Sequence, residues 1–285
     1  MADLGKLLAL IARLRAPGGC PWDREQGLAD LRAYLLEEAH EAAAAIDQVV
    51  ADERQAGGAV EGSAAAAWDA LAEELGDLFF QGAFVAVLAA ERGAFTAEDA
   101  ISRVHRKMVE RHPHVFPSAQ GAALEEAADA AAVSRAWERR KLAAGGPESL
   151  LAGVPTSLPA LLAAYRMTQK ASAVGFDWPR AEDVLVKLDE ERGELAEALA
   201  AAGAADTDPA SNEAVREEIG DLLFTAANLA RKLGIDPEAA LAASNAKFRR
   251  RFAAVEARLR AGGRRPDDCG LSELDALWQE VKSDA

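Results

Sequence analysis

The sequence predicts an all-α protein built from two tandem helical units, and three observations carry that prediction. Half of the 285 residues are apolar while only 6% are aromatic, and alanine, the best helix former and a poor strand former, supplies much of the apolar count. Long helix-periodic stretches alternate with Gly/Pro turns and show no strand-like alternation, giving four to five helices per unit. Four features also recur in the same order in the two halves of the chain, which marks an internal duplication.

Taken along the chain, the apolar run Leu7–Ala12 is short and meets Arg13 and Arg15 at once, so it reads as an amphipathic helix and not as a signal peptide. The first repeated feature is a Trp-containing turn, GGCPWD at 18–23 and VGFDWP at 174–179. An acidic helix follows, LEEAHEAAAAI at 36–46 and LDEERGELAEAL at 188–199. Next comes EELGDLFF at 73–80, matched by EEIGDLLF at 217–224. Last is a basic helix with an aligned lysine, Lys107 in RVHRKMVERH and Lys247 in NAKFRRRF. The first unit is expected to span 1–117. Residues 118–150 read as a linker, Ala-rich at first, then with a short helix around Trp137, Arg139, Arg140 and Lys141 that Gly145-Gly146-Pro147 ends. The second unit is expected to span 151–285.

Composition narrows the function. Lys and Arg total 32 against 47 Asp and Glu, a net charge of −15, which disfavours nucleic acid as a partner. An anionic ligand would need local positive charge, and a divalent cation is the obvious source. Cys20 and Cys269 form no C-x-x-C motif, so neither a disulfide framework nor a zinc site is supported. No stretch reaches transmembrane length, and the expected location is the cytoplasm.

Residues three apart on a helix share a face. That pairs Glu38 with Glu41 and Glu74 with Asp77 in the first unit, and Glu191 with Glu194 and Glu218 with Asp221 in the second. Apolar neighbours (Leu75, Leu78 and Phe79; Ile219, Leu222 and Leu223) put the acids at the border of an apolar stripe. If the two helices of a unit pack together, four carboxylates converge and raise one another's pKa. A hard cation resolves that repulsion: Mg²⁺, with Mn²⁺ as the alternative ion, takes oxygen ligands and keeps waters that a phosphate can displace. A single such acid pair is ordinarily a solvated face; two pairs repeated at matching places argue otherwise. A di-iron bundle needs two Glu-x-x-His motifs; Glu37 with His40 supplies one, but Gly193 stands at the position matching His40.

These motifs resemble the MazG family of nucleoside triphosphate pyrophosphohydrolases in its two-domain bacterial form. The resemblance rests on GGCPWDREQ, YLLEEAHEAAAAI, EELGDLFFQ and RHPHVFP in the first half, and on GVPTSLPAL, VGFDWP, the paired acidic motifs and NAKFRRRF in the second. It implies an all-α fold whose homodimer buries helices in a four-helix bundle, and hydrolysis of nucleoside triphosphates between the α and β phosphates. It also implies that Glu191, Glu194, Glu218 and Asp221 are the catalytic Mg²⁺ ligands, with Glu38, Glu41, Glu74 and Asp77 as their first-unit counterparts. Lys187, Asn245, Lys247, Arg250, Arg251 and Trp278 would contact the nucleotide. Glu190 is the candidate for orienting the attacking water, and which carboxylate takes the proton stays open.

The first unit departs from the second in two ways. Between Glu41 and Glu74 lie 32 residues, against 23 between Glu194 and Glu218, and the extra length includes QAGGAVEGSAAAA (55–67), which reads as a flexible loop. His105 matches Asn245, and the helix continues into RHPHVFP; Pro113 breaks the spacing of His112 and His114, so these histidines read as packing or capping residues. The expectation is that the first unit binds metal but contributes less catalysis. A narrower phosphohydrolase acting on dUTP or phosphoribosyl-ATP is the alternative enzyme, and a non-catalytic nucleotide sensor is the alternative from another class.

Overall fold

The structure is a computed structural model and describes residues 3–55, 63–113, 115–116, 149–204 and 208–283. Its described residues contain ten α-helices and no strand, as the alanine-rich composition predicts. The chain divides into two compact units, 1–126 and 127–285. Most of the expected linker at 118–150, with Trp137, lies outside the described residues, as does His114.

The first unit comprises α1 (Leu4–Arg15), α2 (Pro21–Glu25), α3 (Leu28–Gln55), α4 (Ser63–Glu91) and α5 (Ala97–Arg111). Helices α3 and α4 pack along each other, and α1 lies on α4. Ile11, Leu31, Ala83, Phe84 and Leu88 form the core where these three helices meet. Of the loop expected at 55–67, Gln55 ends α3 and residues 63–67 open α4; residues 56–62 lie outside the described residues. The alanines at 64–67 are good helix formers and carry α4 into the segment.

The second unit comprises α6 (Ala160–Ala173), α7 (Ala181–Ala204), α8 (Glu213–Lys232), α9 (Pro237–Ala261) and α10 (Leu271–Ser283). Here α7 packs along α8, α6 lies on α8, and α10 lies on α9. Repeat logic therefore equates α1 with α6, α3 with α7, α4 with α8 and α5 with α9. Helix α10 has no counterpart among the described residues of the first unit; it is tied down by Val255, Leu259 and Val281 with Leu277 and Trp278 packed against them.

The repeated turns share one physical design. Gly93 and Gly234 leave α4 and α8 with φ of 66° and 70°, a left-handed conformation that glycine adopts without Cβ strain. Beyond each glycine the next amide returns to the helix, Ala94 N to the Ala89 carbonyl and Ile235 N to the Ala230 carbonyl. A side-chain cap then opens the following helix: Thr96 with Asp99 for α5, and Asp236 before Pro237 for α9. Glu238 also reaches from α9 to accept from Leu161 N at 3.2 Å, which caps α6 where Pro159 offers no side-chain acceptor.

Candidate active site

In the second unit, α7 presents Glu191 and α8 presents Glu218 and Asp221. One carboxylate oxygen from each of the three lies within 4.8 Å of the others. Burial grades across the group: Glu191 is 5% exposed, Glu218 half-buried and Asp221 exposed. Glu194 adjoins the group from the next turn of α7, its carboxyl beside that of Glu191. In the first unit the corresponding cluster is Glu38 and Glu41 from α3 with Glu74 from α4, and the charge of Asp77 acts on both Glu38 and Glu74.

The electrostatics are those of crowded, partly dried carboxylates. Burial raises the Glu218 carboxyl above its ordinary value, with Asp221, Glu191 and Glu217 adding to the rise and Lys187 opposing it. Partial loss of solvation likewise raises Glu194, although its side chain is exposed, with Lys187 again opposing while Glu191 adds. Glu38 and Glu74 are raised by the same two causes, burial first and neighbouring acids second. Lys187 is the cation of the second cluster: its Nζ lies 2.9 Å from Glu190 and 2.9 Å from Glu191, and hydrogen bonds to both push its pKa up.

A hard divalent cation fits this donor set. Glu218 Oε2 is buried without a hydrogen-bond partner, an arrangement that is costly for a carboxylate unless a cation takes the oxygen. Two further carboxylates converge on the same place, and all the donors are oxygen, the chemistry that Mg²⁺ and Mn²⁺ prefer.

The profile of the MazG nucleotide pyrophosphohydrolase domain matches residues 26–116 and 180–255. The chain belongs to the MazG family. It is 37% identical over 99% of its length to the nucleoside triphosphate pyrophosphohydrolase of Escherichia coli K12, covering 98% of that protein. It is 36% identical over 97% of its length to the nucleoside triphosphate pyrophosphohydrolase/pyrophosphatase MazG of Thermotoga maritima, covering 94% of that protein. A nucleoside triphosphate pyrophosphohydrolase of Mycobacterium tuberculosis is 32% identical over 59% of this chain and 44% of its own.

The two MazG segments contain both acid clusters, and the second also contains Lys187, Asn245, Lys247, Arg250 and Arg251. The acids and Lys187 come together as described. The basic stretch of α9 does not join them: Asn245, Lys247 and Arg250 are exposed, Arg251 is half-buried, and no ion pair among the described residues links these basic side chains to the cluster. Trp278 lies outside the MazG segments. It is half-buried, its ring 5.2 Å from that of Phe248, which itself stacks on Phe252 at 5.9 Å. His112 caps α5, its Nδ1 2.6 Å from the Met108 carbonyl, and His105 is exposed on the same helix.

Sequence reasoning missed the supports beneath the two Trp turns. In the first unit Arg15 pairs with Glu91 at 2.8 Å, donates to the Asp23 and Gln26 carbonyls and lies over the Phe84 ring. In the second, Arg231 pairs with Asp177 and donates to Asn228, which is 1% exposed, while Lys232 donates to the Trp178 carbonyl at 2.6 Å. The polar Asn228 inside an apolar helix run was the readable signal. Gln81 was also missed; it hydrogen-bonds Glu38, and its own Oε1 is buried without a partner.

Proposed function

We propose that this MazG protein hydrolyses nucleoside triphosphates between the α and β phosphates to a nucleoside monophosphate and pyrophosphate, with residues 151–285 as the catalytic unit. The observation that carries the reading is the convergence of Glu191, Glu218 and Asp221, one oxygen of Glu218 buried and unpartnered. The matched relatives named as nucleoside triphosphate pyrophosphohydrolases support the reaction class. A substrate of that kind puts the reaction in the cytoplasm.

Glu191, Glu218 and Asp221 would hold Mg²⁺, or Mn²⁺ in its place, with Glu194 completing the set. Bound there, the ion supplies charge neutralisation at the phosphates and polarises water for attack on phosphorus. Glu190, exposed beside Glu191 on the same turn of α7, orients the attacking water. Attack at the α phosphorus breaks its bond to the bridging oxygen, and pyrophosphate leaves. Lys187, Lys247, Arg250 and Arg251 neutralise the phosphate oxygens, since positioning and charge stabilisation are the protein's main tasks in phosphoryl transfer. Asn245 contributes a neutral donor. Trp278, anchored by Phe248 and the core of α9 and α10, stacks on the base.

A homodimer is part of the proposal. The helices that carry the acids leave large apolar side chains uncovered, Val186 at 70%, Leu223 at 51% and Ile219 at 45% exposure, with Phe79 at 65% in the first unit. A second copy covering such faces would complete the four-helix packing.

The test is to incubate the protein with Mg²⁺ and each common nucleoside and deoxynucleoside triphosphate and to identify products. Monophosphate plus pyrophosphate from several nucleotides is the expected result. Turnover of a single nucleotide would mark a narrower phosphohydrolase, and binding without product would mark a sensor.

A further inference from the structure

We infer that Lys187 is a resident counter-ion that changes partners: it neutralises Glu190 and Glu191 until a divalent cation takes Glu191, and its ammonium then turns to the phosphates of the nucleotide. The inference rests on the reading of Glu191, Glu218 and Asp221 as metal ligands.

The geometry is specific. Lys187 Nζ contacts Oε1 of both Glu190 and Glu191 at 2.9 Å, and the side chains of Lys187, Glu190 and Glu191 are 31%, 56% and 7% exposed. The pair with Glu190 is a surface contact of small worth. The pair with Glu191 is different, because a carboxylate this buried needs a partner. Glu191 is also one of the three carboxylates whose oxygens converge. A divalent cation on those oxygens would place two positive groups against one carboxylate, and close like charges repel. The lysine is the mobile member, a point charge on a flexible stem with its head near the surface. The strongest new acceptor for it is the polyanion that shares the metal.

The first unit provides the internal comparison. The position matching Lys187 is Tyr34, an uncharged ring packed against the Ile11–Phe84 core and 6.0 Å from the ring of Trp22. The exchange is therefore a property of the second unit. It makes metal and nucleotide bind cooperatively there: metal alone must displace an ammonium, whereas metal with nucleotide gives that ammonium a new place.

Calorimetric titration of Mn²⁺ into the full-length chain tests this, in a Glu38→Gln, Glu41→Gln background that silences the first cluster. Lys187→Met is expected to bind Mn²⁺ about tenfold more tightly without nucleotide, in the range of ordinary coupling between sites. The tightening of Mn²⁺ by an α,β-methylene nucleoside triphosphate, clear in the parent, should be about tenfold smaller in Lys187→Met. Lys187→Arg, which keeps the charge, should restore the parental Mn²⁺ affinity. Unchanged or weaker Mn²⁺ binding by Lys187→Met would overturn the inference, and so would tighter binding with nucleotide coupling intact. If Glu218→Gln in the same background leaves Mn²⁺ binding intact, the ligand assignment itself fails, a result that no Lys187 variant can mimic.

Discussion

Glu218 combines partial burial with crowding by like charge. Both raise its carboxyl pKa, and Glu194 is raised with it. The consequence for stability follows from proton linkage. A carboxyl whose folded pKa exceeds its unfolded value binds protons more readily in the folded state, so the metal-free protein gains stability as pH falls through the raised pKa toward the ordinary carboxylate range. Above that window the ionised cluster is a liability that a cation relieves. Metal binding requires the deprotonated acids and therefore strengthens with pH. The rise in unfolding temperature caused by Mg²⁺ should accordingly be larger near about pH 7 than near about pH 5. Thermal denaturation at the two pH values, with and without Mg²⁺, checks this; an equal rise at both would show that the raised carboxyls are not where the ion binds. The three-residue spacing made the pairing of these acids legible. What the spacing could not tell is which acid of each pair turns inward, since Glu191 is buried while Glu194 is exposed, a difference that arises only where α7 packs against α8.

At the scale of elements, duplication preserved the turns and replaced what braces them. The glycine exits at Gly93 and Gly234 and the caps at Thr96 and Asp236 are the same solution used twice. The Trp turns are held differently, by Arg15 from the preceding helix in the first unit and by Arg231 and Lys232 from the end of α8 in the second. Asp177 is the acceptor on which both second-unit cations converge, with Arg231 only 10% exposed. Asp177→Asn keeps the shape and removes the charge, so it should cost about 2–3 kcal/mol and lower the unfolding midpoint by several degrees. Thermal melts of the variant decide the matter, and an unchanged midpoint would make this a surface pair. Helix existence and turn chemistry were legible because they depend on neighbours in sequence. The braces were not, because Arg15 and Glu91, or Asp177 and Arg231, are distant in sequence and meet only once helices pack. The loop expected at 55–67 gives way at its C-terminal end for a related reason: the alanines 64–67 look featureless, yet α4 starts at Ser63.

At the scale of the whole molecule, two copies of one helical unit have kept one acid cluster each and diverged around it. Among the described residues, the second has Lys187 on its cluster, the run Arg249, Arg250 and Arg251 in α9 and helix α10 with Trp278. The first has Tyr34, His105 and no described counterpart of α10. Both the duplication and the imbalance could be read in the sequence, since they are matters of matched position. The uncovered apolar side chains beside the acids, Leu223 and Phe79 at the same repeat position, were read as a stripe that borders the site; in the single chain that stripe faces outward, as a dimer interface would. The central claim is that the second cluster does the chemistry, and pyrophosphate release from a nucleoside triphosphate in Mg²⁺ tests it directly on Glu218→Gln and Glu74→Gln, each verified as folded by circular dichroism. Glu218→Gln should lose at least about a hundredfold in rate while Glu74→Gln keeps most of its activity; loss of most activity in Glu74→Gln with Glu218→Gln still active would contradict the account.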